Sequence, residues 1–181
     1  MEDRLYYAAE KGDVLAVKEM LKDHPALNVN WLDPRNGLTA LHISASGGHD
    51  AIVSLLLAHA DSDVNKKSAG GGTPFMFACA SGATLCVRLL LKDSRVNINE
   101  KDSNRFSPIR VTAFNAHVDT IRWMIASGRE FDLGQPGNPK TDVVGAARDS
   151  GIREMVALME KFSDNQTQTT MEIRKDLGIT G

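Results

Sequence analysis

The feature that most constrains this chain is a self-similarity at a fixed spacing. Segments opening at Thr39, Thr73, Ser107 and Thr141 follow one another every 34 residues and align side by side, with a one-residue slip near Ser150-Gly151 in the last. The stretch from Leu5, LYYAAEKGDVLAVKEML, matches the stretch from Leu41. Five copies fill residues 1–162, as units of about 1–31, 32–65, 66–99, 100–133 and 134–162. A unit of this length cannot bury its own apolar face, so the copies must stack on one another.

Within each copy the residues spell out two helices. The hydroxyl residue that opens the segment suits a helix N-cap, and Pro74 and Pro108 follow at the first helical position, where a missing N–H costs nothing. Small residues dominate the first helix, as in Ser44-Ala45 and Ala78-Cys79, and let a neighbouring helix approach closely. A break at Gly12, Gly48, Gly82 or Ala116 precedes a second helix with an apolar stripe, such as Ile52, Val53, Leu56 and Leu57. A polar connection with a short β-like triplet (Asn28-Val29-Asn30, Asp63-Val64-Asn65, Asn97-Ile98-Asn99) leads to the next copy. The spacing predicts an all-α repeat, a helical solenoid.

TALH at 39–42, TPFM at 73–76 and SPIR at 107–110, with ASGGHDAIVSLLL and DSDVN around them, resemble the TPLH signature and connections of the ankyrin-repeat family. The resemblance implies an ankyrin-repeat solenoid of helix-turn-helix units joined by β-hairpin loops, with partner proteins bound on the concave face by hairpin tips and first helices. Small free-standing members of that family include kinase inhibitors and assembly chaperones. The resemblance also implies that His42 and His49 tie one unit's loops to the next. Only the second unit keeps the signature histidine; Tyr6, Met76, Arg110 and Val144 hold that place elsewhere. The connection after the first unit, DHPALNVNWLDPRNG, is longer than the others.

Composition narrows the function. The 181 residues carry 21 basic and 23 acidic side chains, a formal charge of −2, which argues against general nucleic-acid binding. Twenty uncharged residues separate Lys67 from Arg88, but Gly70-Gly71-Gly72, Pro74 and Ser81-Gly82 break them into turns and short helices, so no membrane span is expected. Two cysteines make no disulfide framework, and MEDRLYY lacks the apolar core of a signal peptide, so a cytoplasmic or nuclear setting is expected. No metal-ligand spacing, phosphate-binding glycine motif or paired catalytic carboxylate appears; no cofactor, metal or enzymatic activity is expected. Cys79 and Cys86 read as buried hydrophobes.

The expected function is therefore a protein–protein interaction module that inhibits, chaperones or scaffolds its partner. Mapped onto the concave face, Arg35, Leu38, Lys67, Lys101, Asn104, Arg105, Phe106, Phe114 and Asn115 are the candidate contacts. Leu38, Phe106 and Phe114 are apolar where the fold needs no burial, and cations flank them. Phe106 packing under its own hairpin, and Phe114 against a neighbouring helix, are the alternatives. Residues 88–129 hold 8 basic and 4 acidic side chains, which favours an acidic partner surface. Trp123 aligns with Leu55 and Leu89 and is expected to pack between units, whereas the role of Trp31 stays open. After Phe162 the stretch SDNQTQTT reads as a linker, and Thr169-Thr170-Met171-Glu172 has capping-box spacing for a short helix. This tail, residues 163–181, is expected to fold back on the last unit; the other reading is an adaptor whose tail recruits the partner. Polar ends suggest a monomer.

Overall fold

The computed structural model describes residues 1–179. Among the described residues lie eleven α-helices and no strand: α1 (Glu2–Glu10), α2 (Val14–Asp23), α3 (Ala40–Ser46), α4 (Asp50–Ala58), α5 (Pro74–Ser81), α6 (Thr84–Lys92), α7 (Pro108–Phe114), α8 (Val118–Ala126), α9 (Val143–Asp149), α10 (Arg153–Asp164) and α11 (Gln166–Asp176). The hairpin loops are closed by single bonds at their tips, Asp33 N–H to Leu38 O, Ser68 N–H to Gly72 O and Asp102 N–H to Phe106 O, rather than by a ladder. The triplets read as β-like form no strand.

Three of the four expected caps form. The hydroxyls of Thr39, Thr73 and Ser107 accept the N–H groups of His42, Met76 and Arg110. The fourth does not. Asp142, one residue on, caps α9 by accepting from Gly145 N–H, and its other oxygen accepts from Gly137 N–H. Thr141 instead accepts from Gln135 N–H. The buried positions of α9 (Val143, Ala146, Ala147) nevertheless keep the 34-residue register of Leu41, Ser44 and Ala45. Packing holds the period while the caps shift.

Helices α1, α3, α5, α7 and α9 stack in one layer, and α2, α4, α6 and α8 in a second. The core lies between them, with Ile52, Leu56, Phe75, Leu90, Ile109, Ile121 and Met124 at most 1% exposed. Cys79 and Cys86 belong to it, and burial pushes their thiols up to about 12 and about 11, so they pack as thiols. Trp123 is half-buried with the Arg88 guanidinium 3.8 Å over its ring. Trp31 meets Tyr6 edge-on at 6.4 Å and fastens the long first connection to α1.

Beyond the helices, an asparagine ladder couples the loops. Asn30 donates to Asp61 O (2.6 Å) and accepts from Asp63 N–H (2.8 Å). Asn65 does the same with Arg95 O and Asn97 N–H, both at 2.7 Å, and Asn99 with Glu130 O and Asp132 N–H, both at 2.9 Å. The next place is Gly134, where the ladder ends. A Cβ there would lie 1.9 Å from Thr141 O, so only glycine fits.

The tail departs from its reading. SDNQTQTT is not a linker: α10 runs to Asp164, and α11 begins at Gln166 with Asn165 as its cap. Thr169 is buried and donates to Lys161 O at 3.0 Å instead of capping a helix. The side chain of Asn165 supplies the cap four residues earlier than the Thr-Glu spacing suggested, by accepting from Gln168 N–H. Helix α11 packs on α8 as well as on α10. The last two residues of the tail, 180–181, lie outside the described residues.

Two stability predictions follow from this frame. Asn65→Ala removes two inter-unit bonds and should cost about 1–3 kcal/mol, read as a lower urea midpoint at unchanged slope; no loss would show that the ladder carries no stability. His42 is fully buried, and burial lowers it from 6.5 to about 4. Its folded value lies below its unfolded one, so the unfolded chain holds the extra proton between these pH values. Stability should be complete above pH 6.5 and fall by about 3 kcal/mol as pH drops to 4. A His42→Gln chain should lack that share of the pH slope.

Candidate functional site

The first helices present one solvent-facing row on the face that the resemblance implies is concave. Tyr7, Ile43, Phe77 and Val111 occupy equivalent places, all half-buried or exposed. A parallel row runs Glu10, Ser46, Ala80, Phe114 and Arg148, and the hairpin tips add Leu38, Gly72 and Phe106 in register. Gly72 therefore stands where its neighbours carry a large apolar side chain.

A groove of about 360 Å³ opens at that gap. Met76, Phe77, Ala80 and Val111 line it from the helices, and Asp102, Asn104 and Phe106 from the fourth unit's tip. A Cβ on Gly72 would sit 3.0 Å from the Phe77 ring and 3.6 Å from Met76 sulfur, so any larger side chain there fills the groove.

The groove lies where a polar tie is missing. At the signature position, Tyr6 hydroxyl accepts from Asn36 Nδ2 of the next tip at 2.8 Å. His42 Nε2 donates to Gly72 O at 3.1 Å, which leaves Nδ1 to accept from the Thr39 N–H and hydroxyl. A second proton on Nδ1 would break both Thr39 bonds, consistent with the lowered pKa. Arg110 donates to Pro139 O at 2.6 Å. Met76, the third unit's residue, can make no such bond. The fourth tip is held sideways instead, by Ser103 N–H to Gly70 O at 3.0 Å. His49 and His117 tie other junctions, facing the carbonyls of Glu10 and Ala80 at 3.3 and 3.0 Å.

The structure brings some of the expected contacts together and separates others. Asn104 and Phe106 line the groove; Phe106 is half-buried, with the Arg110 guanidinium 4.2 Å over its ring, so it packs beneath its own tip and also forms a wall. Phe114 is 50% exposed at the end of α7, on the same face, rather than packed on a neighbouring helix. Asn115 beside it donates to Ala80 O at 3.1 Å.

Leu38 is half-buried at the second unit's tip, away from the groove lining. The flanking cations are mostly paired within the chain. Lys67 bonds Glu100 at 2.6 Å and Lys101 bonds Asp132 at 2.8 Å. Arg35 pairs with the buried Asp33, holds that carboxyl below its usual range and lies over Tyr7 at 4.9 Å. Of these cations, Arg105 alone has no acidic partner among the described residues.

Phe77 was missed by the sequence reading. The available signal was the apolar row Ile43, Phe77, Val111 on the solvent side of short helices, together with Gly72 between Leu38 and Phe106.

Arg105 also bears backbone strain. Its φ is +70°, in the register of Gly37 and Gly71, and Ala116 (φ +59°) likewise follows Gly48 and Gly82. Left-handed backbone costs a side-chain-bearing residue roughly 1–2 kcal/mol. Arg105→Gly and Ala116→Gly should each raise stability by about 1 kcal/mol in urea unfolding; destabilisation by either would refute this account of the strain.

Among the described residues no group of three or more His, Cys, Asp or Glu side chains is placed to hold a metal ion, and no helix is long and apolar enough to cross a membrane. Comparison with known proteins matches the family model for ankyrin repeats (3 copies) over residues 5–102 and 60–135. Over 128 residues, 70% of the chain, it is 31% identical to the tyrosine-protein kinase HTK16 of Hydra vulgaris. It is 32% identical to the E3 ubiquitin-protein ligase XBAT33 of Arabidopsis thaliana over 90% of the chain, and 30% identical to a transient receptor potential cation channel subfamily A member 1 homolog of Caenorhabditis elegans over 72%. The chain spans only 17%, 31% and 10% of these relatives' lengths. Ankyrin repeats are a protein-binding fold without catalytic machinery of their own. Built of such units and matched from residue 5 to residue 135, this chain belongs to the ankyrin-repeat family.

Proposed function

We propose that this chain is a non-enzymatic protein-binding module, acting as a monomer, that takes an apolar side chain of a partner protein into the groove between α5 and the fourth hairpin tip. It would inhibit, chaperone or scaffold that partner. The observation that carries this reading is the absent side chain at Gly72, between Leu38 and Phe106 in register, above a floor of Phe77, Met76 and Val111. An apolar recess with a polar rim is the usual form of an energetic anchor point in an interface. Phe114 extends the apolar surface beside it.

The acidic character of the partner rests on Arg105, because Lys67, Lys101 and Arg35 already have carboxylates. One carboxylate flanking the anchoring side chain would satisfy it. Arg105 keeps a glycine's backbone geometry at a cost in stability, and strain retained at an exposed position favours a binding role. The docked state of α11 weighs against the tail as the recruiting element.

Affinity capture with the intact chain, Gly72→Leu, Phe114→Ala, Arg105→Glu and an outer-face control, Leu85→Ser, tests this. Leu85 is 55% exposed on α6, away from the groove. The expected outcome is one partner held by the intact chain and the control, and weakened about tenfold or more by the other three, a hot-spot-sized loss. A partner held equally by all five chains would overturn the proposal, provided circular dichroism shows each folded.

A further inference from the structure

The outer layer carries its own series of ties, made by arginine. Arg95 donates to Leu57 O, at the end of α4, at 2.7 Å. Arg129, 34 residues on, reaches Leu91 O at the end of α6 at 3.5 Å and Val96 O at 2.7 Å. Each guanidinium reaches a last-turn carbonyl of the preceding unit's second helix, at the negative end of that helix, and Arg129 makes its shorter bond to the loop just beyond it. The next place in register is Ser163, which has no such group. The last turn of α8 is nevertheless served: Arg174 of α11 donates to Ala126 O at 2.8 Å and to Ser127 O at 3.4 Å.

Two further observations show a shaped seat. Gly128 has φ +72°, and a Cβ on it would lie 2.9 Å from an Arg174 terminal nitrogen; the preceding unit has Ser94 at that place. Stacking along the outer layer passes from α8 to α11 rather than to α10. Around the guanidinium, Ile173 is buried and Asp176 pairs with Arg122 at 3.4 Å.

We infer that the α8 C-terminus is an arginine-reading site on the outer face, and that its occupant is the chain's own helix α11, held there as a ligand through Arg174. The recognised pattern is an aliphatic residue, arginine and an acidic residue two places on, presented by a helix, as in Ile173, Arg174 and Asp176. Only Asn165 separates α11 from α10, so the occupant is delivered from a one-residue joint. This assignment is independent of the concave groove.

Amide hydrogen exchange on the full chain tests it. In Arg174→Ala, protection across 169–177 should fall about tenfold or more while that of α3 to α7 holds, as expected for a locally opening segment. Gly128→Ala should do the same. Gly151→Ala is the control, since it shares the positive φ (+71°) but has nothing within 4 Å of its Cβ, and it should leave α11 protected. A labelled peptide of residues 165–179, titrated onto the Arg174→Ala chain, should bind at least about tenfold tighter than the same peptide carrying Arg174→Ala. Unchanged α11 protection in both Arg174→Ala and Gly128→Ala overturns the inference. So do equal affinities of the two peptides, or no binding by either.

Discussion

Everything in this fold depends on neighbouring units completing one another, because a helix pair with a one-sided core is not stable alone. Apolar contact between layers supplies most of the favourable energy, but it does not fix register along a stack of near-identical faces. Register comes from side chains that reach a neighbour's backbone: the asparagines at 30, 65 and 99, the histidines at 42, 49 and 117, and the arginines at 95 and 129. Each spans roughly one repeat and pairs a loop or helix-end group that otherwise faces water. Their spacing repeats, to within a residue, the 34-residue period that the buried positions keep.

The places where a tie is replaced are the informative ones. A thioether at Met76 cannot donate to the next tip, so α5 meets the fourth tip through apolar contact, and the Ser103–Gly70 bond joins the third and fourth tips. With Gly72 contributing no side chain, the same junction opens into a groove. At the end of the outer series the missing residue is an arginine, and there the chain brings one back from α11. One vacancy is left open beside the hairpin tips, and the other is filled from within.

How much of this could be read from residues alone follows from the range of the interactions. Thr39, Thr73 and Ser107 were readable as caps because a cap bonds three residues along its own chain. Asp142 displaced Thr141 because its second carboxylate oxygen also binds Gly137, a contact set by the path of a long loop. The pairing of Lys67 with Glu100 and of Lys101 with Asp132 joins residues roughly one repeat apart, so a local charge count did not show that these two candidate cations are already paired. Phe114 could be placed on the open face because its register partners are Ser46 and Ala80. The later part of helix α11 was legible, but its start was hidden by polar residues: QTQTT has no apolar stripe, and the helix is held by docking through Thr169, Ile173 and Arg174.

In a stack whose units contact only their neighbours, stability is a sum of unit and interface terms, and a ligand acts on the interface it bridges. The groove is bounded by the third unit's helix and the fourth unit's tip, so an occupant touches both sides of the junction at the place where Met76 makes no hydrogen bond to the tip. By mass action it stabilises the folded stack by RT ln(1 + [L]/Kd), and all of that gain is made across this one interface. A side chain entering beside Gly72 therefore adds to the one part of this junction, α5 against the fourth tip, that is joined by apolar contact. Binding at this place couples recognition to the cohesion of the two halves of the solenoid, which a site on the face of a single unit would not do.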